Sequence, residues 1–246
     1  MGGVLVGLTR PVGANTRLAL ALRERGVTVR ELPLVEISLL PGAVDALVDA
    51  ARAGHDVWFA VTSANATQAV AQAGARLGTS LPVASIGPAT SSAARHHGLE
   101  VALESPEPSA RSLAEALATR HPGLVVWSQA KDPLPDLAVG LQANGIAVVQ
   151  VPTYTTSPAV LSGQQAATLL ECDLLTVASP SAVSALATLA HDQSIPPLVS
   201  IGPTTTRAAE KAGLFVVAEA QTPSLTEMVR AIERAAATLG PRRLGR

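Results

Sequence analysis

The chain has 246 residues, 48% of them hydrophobic and 15% charged, which excludes a disordered chain and allows one large domain or two of ordinary size. Its formal net charge is -1, and no dense basic stretch precedes the terminal Arg242, Arg243 and Arg246, so these read as a solvated tail and no nucleic-acid partner is expected. No apolar run approaches a membrane span and the segment from Met1 to Gly7 lacks the plan of a secretory signal, so a cytoplasmic protein without a membrane partner is expected.

In chain order, short apolar runs alternate with Ala- and Leu-rich segments at helical spacing. Strands are predicted near 3–8, 28–32, 57–61, 82–86, 100–103, 123–127, 146–150, 173–178, 197–201 and 215–218. Helices are predicted between them, clearest over 16–25, 66–75, 109–119 and 204–212. Strand and helix in alternation predict an α/β fold of parallel sheets covered on both faces, and so many strands exceed one ordinary sheet. Aromatic residues make up only 2% of the chain, so Ala, Val and Leu must fill the core.

A long-period repeat explains the excess of strands. Ser85-Ile86-Gly87-Pro88-Ala89-Thr90 returns as Ser200-Ile201-Gly202-Pro203-Thr204-Thr205, a shift from 85 to 200, or 115 residues. Gly98 and Gly213 repeat at the same shift, as do Pro108-Ser109 and Pro223-Ser224, while Thr62-Ser63-Ala64-Asn65-Ala66 corresponds to Ala178-Ser179-Pro180-Ser181-Ala182 with one residue of drift. Two similar domains follow. The extended segments Leu32 to Ile37 and Val151 to Thr156 suit a pair of crossing connections. They predict a discontinuous domain of residues 1–34 plus 157–246, an inserted domain of 38–153, and linker segments at about 32–38 and 151–157. From spacing alone, a simple tandem cut near residue 120 is also open.

The loops between strand and helix hold small polar clusters, Thr62 to Asn65, Gly87 to Thr90, Ser128 to Lys131, Ser179 to Ser181 and Gly202 to Thr205. Ser, Thr and Asn cap helices there and Pro enters the first turn, so capping alone accounts for any one cluster. In doubly wound sheets the same edge binds ligands, and N–H groups at helix starts attract anions, which suits carboxylates. Neither a dinucleotide-binding nor a phosphate-cradling glycine motif occurs, and no Ser sits in a G-x-S-x-G elbow. His55, His96, His97, His121 and His191 lack zinc-ligand spacing; His96 and His97 read as last-turn residues before Gly98. The single cysteine, Cys172, reads as a small hydrophobe at a strand start. Tyr154, the only tyrosine, falls in an extended connection, where its phenol is able to donate a proton or simply packs at a strand end.

Across nearly its whole length the chain resembles the uroporphyrinogen-III synthase family. The resemblance is carried by Ile201-Gly202-Pro203-Thr204-Thr205-Thr206 through Ala212-Gly213-Leu214, by Leu8-Thr9-Arg10-Pro11, by Val61-Thr62-Ser63-Ala64-Asn65-Ala66, by Ala178-Ser179-Pro180-Ser181-Ala182-Val183 and by Pro223-Ser224-Leu225. It implies two flavodoxin-like domains joined by a two-stranded linker, one domain discontinuous, with the active site in the cleft between them. It also implies a lyase without cofactor or metal, in which hydroxymethylbilane loses its terminal hydroxyl and closes to uroporphyrinogen III through a spiro intermediate that inverts the last ring. The implied partners are this substrate and a handover from hydroxymethylbilane synthase, with a monomeric enzyme. By motif position Tyr154 matches the linker tyrosine that assists hydroxyl departure. Substrate binding is implied for Thr9, Arg10, Thr62, Ser63, Asn65, Gly87, Thr90, Ser128, Lys131, Ser179, Ser181, Gly202, Thr204 and Thr205.

The chain departs from the family at two places: Thr155 stands where an arginine often follows the linker tyrosine, and Ser128-Gln129-Ala130-Lys131 replaces an Arg-Gly turn, with Lys131 as a substitute cation. Because fold does not fix function, a non-catalytic small-molecule binding or regulatory protein on the same architecture is the alternative.

Overall fold

The computed structural model describes residues 3–132, 136–190 and 193–239. His191, the terminal arginines and the first two residues of the chain, all interpreted above, lie outside the described residues. In chain order the first elements are β1 (Leu5–Leu8), α1 (Thr16–Arg23), β2 (Thr28–Glu31), β3 (Val35–Leu39), α2 (Ala43–Arg52), β4 (Val57–Val61), α3 (Thr67–Leu77) and β5 (Val83–Ser85). Next come α4 (Pro88–His96), β6 (Val101–Glu104), α5 (Ala110–Ala118), β7 (Leu124–Ala130), α6 (Asp136–Ala143) and β8 (Val148–Pro158). The remainder holds α7 (Gly163–Glu171), β9 (Leu174–Val177), α8 (Pro180–Leu189), β10 (Leu198–Ser200), α9 (Pro203–Lys211), β11 (Val216–Glu219) and α10 (Leu225–Leu239). No described helix is long and apolar enough to cross a membrane.

The chain divides into two compact units, Met1–Glu36 with Ser157–Arg246, and Ile37–Thr156. In the first, the sheet runs β11-β10-β9-β1-β2 with parallel pairs throughout. Numbered within the unit this is the 2-1-3-4-5 order of flavodoxin-like doubly wound sheets. In the second unit the order is β3-β8-β7-β4-β5-β6. Apart from β3 it repeats the neighbours of the first sheet, because β5 and β10 are the strands of the sequence repeat and β8-β7 takes the place of β2-β1. The chain enters the two sheets at different strands, so one unit is a circular permutation of the other.

Each sheet is buried on both faces, which is why its central strands are continuous apolar runs rather than alternating ones. In the first unit, Val6, Leu8 and Val29 pack against Leu18 and Leu22 of α1 and against Met228, Ile232 and Ala235 of α10. On the opposite face Leu175 and Val177 meet Val183 and Leu186 of α8. In the second unit, Phe59 and Val61 pack on Leu47 of α2 and Val70 of α3, while Ala60, Val125 and Trp127 pack on Leu113, Leu117, Leu137 and Leu141. Each fully buried Leu or Phe contributes about 1.5–3 kcal/mol. Gly7 in β1 is closely packed: a Cβ there would stand 2.5 Å from Leu175 Cδ2, so that buried side chain would have to shift to admit it.

Two elements differ from the sequence expectation. β7 continues to Ala130, so Ser128 and Gln129 are buried strand residues and not part of a loop. The segment from Val151 to Thr156 is the second half of β8, which is paired on one side with β7 and on the other with β3, and the division between the two units falls within β3 and β8. Both strands run longer than expected for one reason: polar residues and Pro152 break the apolar pattern, yet side-chain hydrogen bonds and a strand bulge accommodate them inside the sheet.

Candidate functional site

In the first unit, three adjacent strands deliver their carboxyl ends to one edge. β1 ends at Thr9-Arg10, β9 leads into Ser179 to Ser181, and β10 leads into Gly202 to Thr205. Thr9 differs from its expected binding role in having no exposed surface; its Oγ1 donates to the Thr176 carbonyl and ties β1 to β9. Arg10 next to it is exposed, and among the described residues no carboxylate pairs with it. Surrounding protein displaces part of its water and lowers its pKa from the ordinary guanidinium value, and the group remains a cation. Asn15 holds the loop behind it, its Nδ2 donating to the Arg10 carbonyl at 3.1 Å.

Ser179 caps α8, its Oγ accepting from Ala182 N at 3.3 Å and standing 2.9 Å from Ser181 Oγ. A capping hydroxyl spends a lone pair and keeps its proton, so the Ser179–Ser181 pair still offers a donor to an anion. Gly202 caps α9 without a side chain, ahead of Pro203 in the first turn. Its φ of 161° is extended backbone open to any residue, and a Cβ built on it meets nothing within 4 Å. Neither conformation nor packing within the chain therefore calls for glycine there. Thr204 is exposed and Thr205 buried.

In the second unit the corresponding edge carries Thr62 to Asn65 after β4, Gly87 to Thr90 after β5, and Lys131 after β7. Thr62 Oγ1 accepts from Trp127 Nε1 at 3.2 Å, and Ser63 Oγ accepts from Asn65 N at 3.2 Å, so both hydroxyls again keep their protons. Asn65 lies in the short 3-10 turn Ala64–Ala66 that enters α3. Gly87 mirrors Gly202, but a Cβ on it would lie 3.4 Å from Pro108 Cβ. Thr90 is buried like its counterpart Thr205. Lys131 is exposed, its backbone N donating to the Tyr154 carbonyl at 2.8 Å. Ser128, expected in this loop, is fully buried two residues before the end of β7, with Oγ 2.8 Å from Thr153 Oγ1. The Tyr154 ring is buried in the cluster containing Phe59, Val61 and Ala66, and no described residue hydrogen-bonds its hydroxyl.

The repeat also holds residues that the sequence pattern left unassigned. Ser85 Oγ bonds Ser91 Oγ in the second unit, and Ser200 Oγ stands 2.6 Å from Thr206 Oγ1 in the first. Each pair clamps the end of a strand to the first turn of the following helix. The signal was present, since Ser91 and Thr206 are themselves 115 residues apart and both carry hydroxyls. A cavity of about 410 Å³ lies at the opposite edge of the second unit, lined by Phe59, Val70, Gly74, Leu81, His97 and Leu99, and includes none of the candidate residues. Among the described residues no three His, Cys, Asp or Glu side chains gather to hold a metal ion.

Fold and edges together define a two-unit α/β protein whose strand ends present hydroxyls, helix-start N–H groups and isolated cations, a donor set matched to an anionic ligand. The family model described as uroporphyrinogen-III synthase HemD matches residues 16–230. The chain belongs to that family. It is 28% identical over 244 residues to the chloroplastic uroporphyrinogen-III synthase of Oryza sativa subsp. japonica, covering 92% of this chain and 79% of the rice protein. Among solved structures, the uroporphyrinogen-III synthetase of Helicobacter pylori 26695 superposes with a TM-score of 0.67 at 16% identity, over 95% of this chain and 100% of that one. A mutant uroporphyrinogen III synthase of the extremely thermophilic bacterium Thermus thermophilus gives a TM-score of 0.55 at 20% identity, over 96% and 100%. At these identities the structural likeness carries the fold, and the family match carries the kinship.

Proposed function

We infer that the chain works as a uroporphyrinogen-III synthase, closing hydroxymethylbilane to uroporphyrinogen III in tetrapyrrole biosynthesis. The family match over residues 16–230 is the observation that carries this reading. The reaction is a cofactor-independent dehydrative closure, and the protein is therefore a lyase. Loss of the terminal hydroxyl leaves an electrophilic methylene, which the substituted carbon of the last pyrrole attacks to form a spiro centre. Fragmentation and reclosure then invert that ring. The pyrroles supply both the nucleophilic carbon and the electron push, so the protein's task is to position the chain, assist the departing oxygen and disfavour direct closure.

Each residue has a role that follows from its chemistry. Tyr154 gives its phenolic proton to the leaving hydroxyl, becoming a phenolate as water departs, and is reprotonated by the proton that the last pyrrole's carbon loses when reclosure restores its aromaticity. Arg10 and Lys131 pair with substrate carboxylates. Thr62, Ser63, Asn65, Ser179, Ser181 and Thr204 donate to carboxylate oxygens alongside the first-turn N–H groups of α4 and α9. Gly202 leaves open the space through which a carboxylate reaches the start of α9, which accounts for a glycine that the chain's own packing does not need. Gly87, Thr90 and Thr205 shape the same turns. Thr9 and Ser128 act from behind, by holding strand ends in place.

The active form is a cytoplasmic monomer of two domains, residues 1–34 with 157–246 and residues 38–153, which receives its substrate from hydroxymethylbilane synthase. Expression of the chain in a bacterial strain lacking its own uroporphyrinogen-III synthase tests the function. Growth without added haem supports it; failure to grow with folded protein present in the cell argues against it.

A further inference from the structure

β8 is irregular where it passes the end of β7. Gln129 pairs with Pro152, and the next pair is Ala130 with Tyr154, so Thr153 is the extra residue of a bulge. The burial pattern shows the same slip, since Thr153 and Tyr154 are buried in succession. In a regular strand, consecutive side chains point to opposite faces, and one inserted residue turns everything after it over. The insertion puts Tyr154 on the face of Val151, in the cluster with Phe59, Val61 and Ala66. Without it, the phenol would face Trp127 and Leu137 on the other side of the sheet.

The bulge is locked by side chains. Thr153 Oγ1 donates to the Gln129 carbonyl at 3.2 Å and lies 2.8 Å from Ser128 Oγ, while Leu40 N donates to the Thr153 carbonyl at 2.9 Å from the far side. Each hydroxyl has one proton. With that of Thr153 on the Gln129 carbonyl, that of Ser128 goes to Thr153 Oγ1, its near acceptor; the Ala66 carbonyl is farther, at 3.4 Å. Neither Thr153 nor Ser128 has exposed surface, so no solvent replaces a bond that is lost. Bulges recur where a sheet must re-aim one side chain.

We propose that Thr153, held by Ser128, is the positioning residue that sets the orientation of Tyr154. Its bearing on turnover rests on the reading of Tyr154 as the proton donor. Tyr154 is the only tyrosine in the chain, so protein labelled with ¹³C-tyrosine gives one set of ring signals that reports this orientation directly. In the full-length protein, Thr153→Val should shift or broaden those signals and lower kcat about 10- to 100-fold, with KM within roughly twofold. Thr153→Ser, which keeps the hydroxyl, should retain both the native signals and most of kcat. Tyr154→Phe combined with Thr153→Val should be no slower than Tyr154→Phe alone. Native ring signals in Thr153→Val, or fully additive losses in the double variant, would overturn the proposal. If Tyr154→Phe turns over like the parent while Thr153→Val still displaces the ring, the positioning stands and the proton-donor reading falls. Should Thr153→Val fail to fold, Ser128→Ala removes the Ser128–Thr153 bond and leaves that of Thr153 to the Gln129 carbonyl; a smaller shift of the ring signals is expected, and native signals would overturn the hold of Ser128 on Thr153.

Discussion

At the scale of single residues, the candidate site is a division of labour among hydroxyls that look alike in sequence. Thr9, Ser128 and Thr153 have no exposed surface and bond inward, whereas Thr62 and Ser63 accept bonds from the protein and keep their own protons, and the Ser179–Ser181 pair keeps one between them. Substitution should separate the two groups. Tyr154→Phe should lower kcat about 100-fold or more, the usual contribution of a positioned acid, while the melting temperature stays near that of the parent. Parental kcat in steady-state assays would contradict the acid role. Arg10→Gln should raise KM roughly 10-fold with little change in kcat, because a carboxylate contact made equally in ground and transition states is lost. Thr9→Val should instead act on stability, by about 1–3 kcal/mol in denaturant melts, since it leaves the Thr176 carbonyl without its bond.

At the scale of elements, the strand-to-helix turns repeat, yet their glycines differ. A methyl group at Gly202 has open space, whereas one at Gly87 comes within 3.4 Å of Pro108 Cβ. Gly202→Ala should therefore leave the melting temperature within a degree or two but weaken substrate or product binding about 10-fold or more by calorimetry, as the added Cβ takes up ligand space. Unchanged affinity would remove Gly202 from the binding surface. Most of this architecture was legible in the chain. Val57 to Val61 is a continuous apolar run and Leu174 to Val177 is one but for Thr176, each preceded by an aspartate, and both are buried parallel strands. What was not legible was the end of β7 and the continuation into β8. Ser128 and Gln129 read as loop and Thr153 as part of an extended connection because polar residues interrupt the apolar pattern, and the spatial pairing of Ser128 with Thr153 makes their burial tolerable. A bond spanning 25 residues leaves no periodic trace.

At the scale of the whole molecule, duplication explains why the two units share one order of neighbouring strands although the chain threads them differently. The unit Ile37–Thr156 is continuous and has clusters on both sheet faces drawn from its own residues. As an isolated fragment it should fold, with a cooperative thermal transition followed by circular dichroism. The other unit needs both of its segments, since β1 and β2 pair beside β9, and Ser157–Arg246 alone should show no such transition. A non-cooperative melt of the 37–156 fragment would mean that its core depends on the rest of the chain. The class of reaction belongs to this scale too, because only the combination of family match and strand-edge chemistry points to one substrate. The central claim is tested most directly by supplying freshly made hydroxymethylbilane to the purified protein in the presence of a chelator and separating the oxidised type I and type III uroporphyrins. A uroporphyrinogen-III synthase gives predominantly type III product; type I alone, formed at the rate of a protein-free control, would rule that activity out.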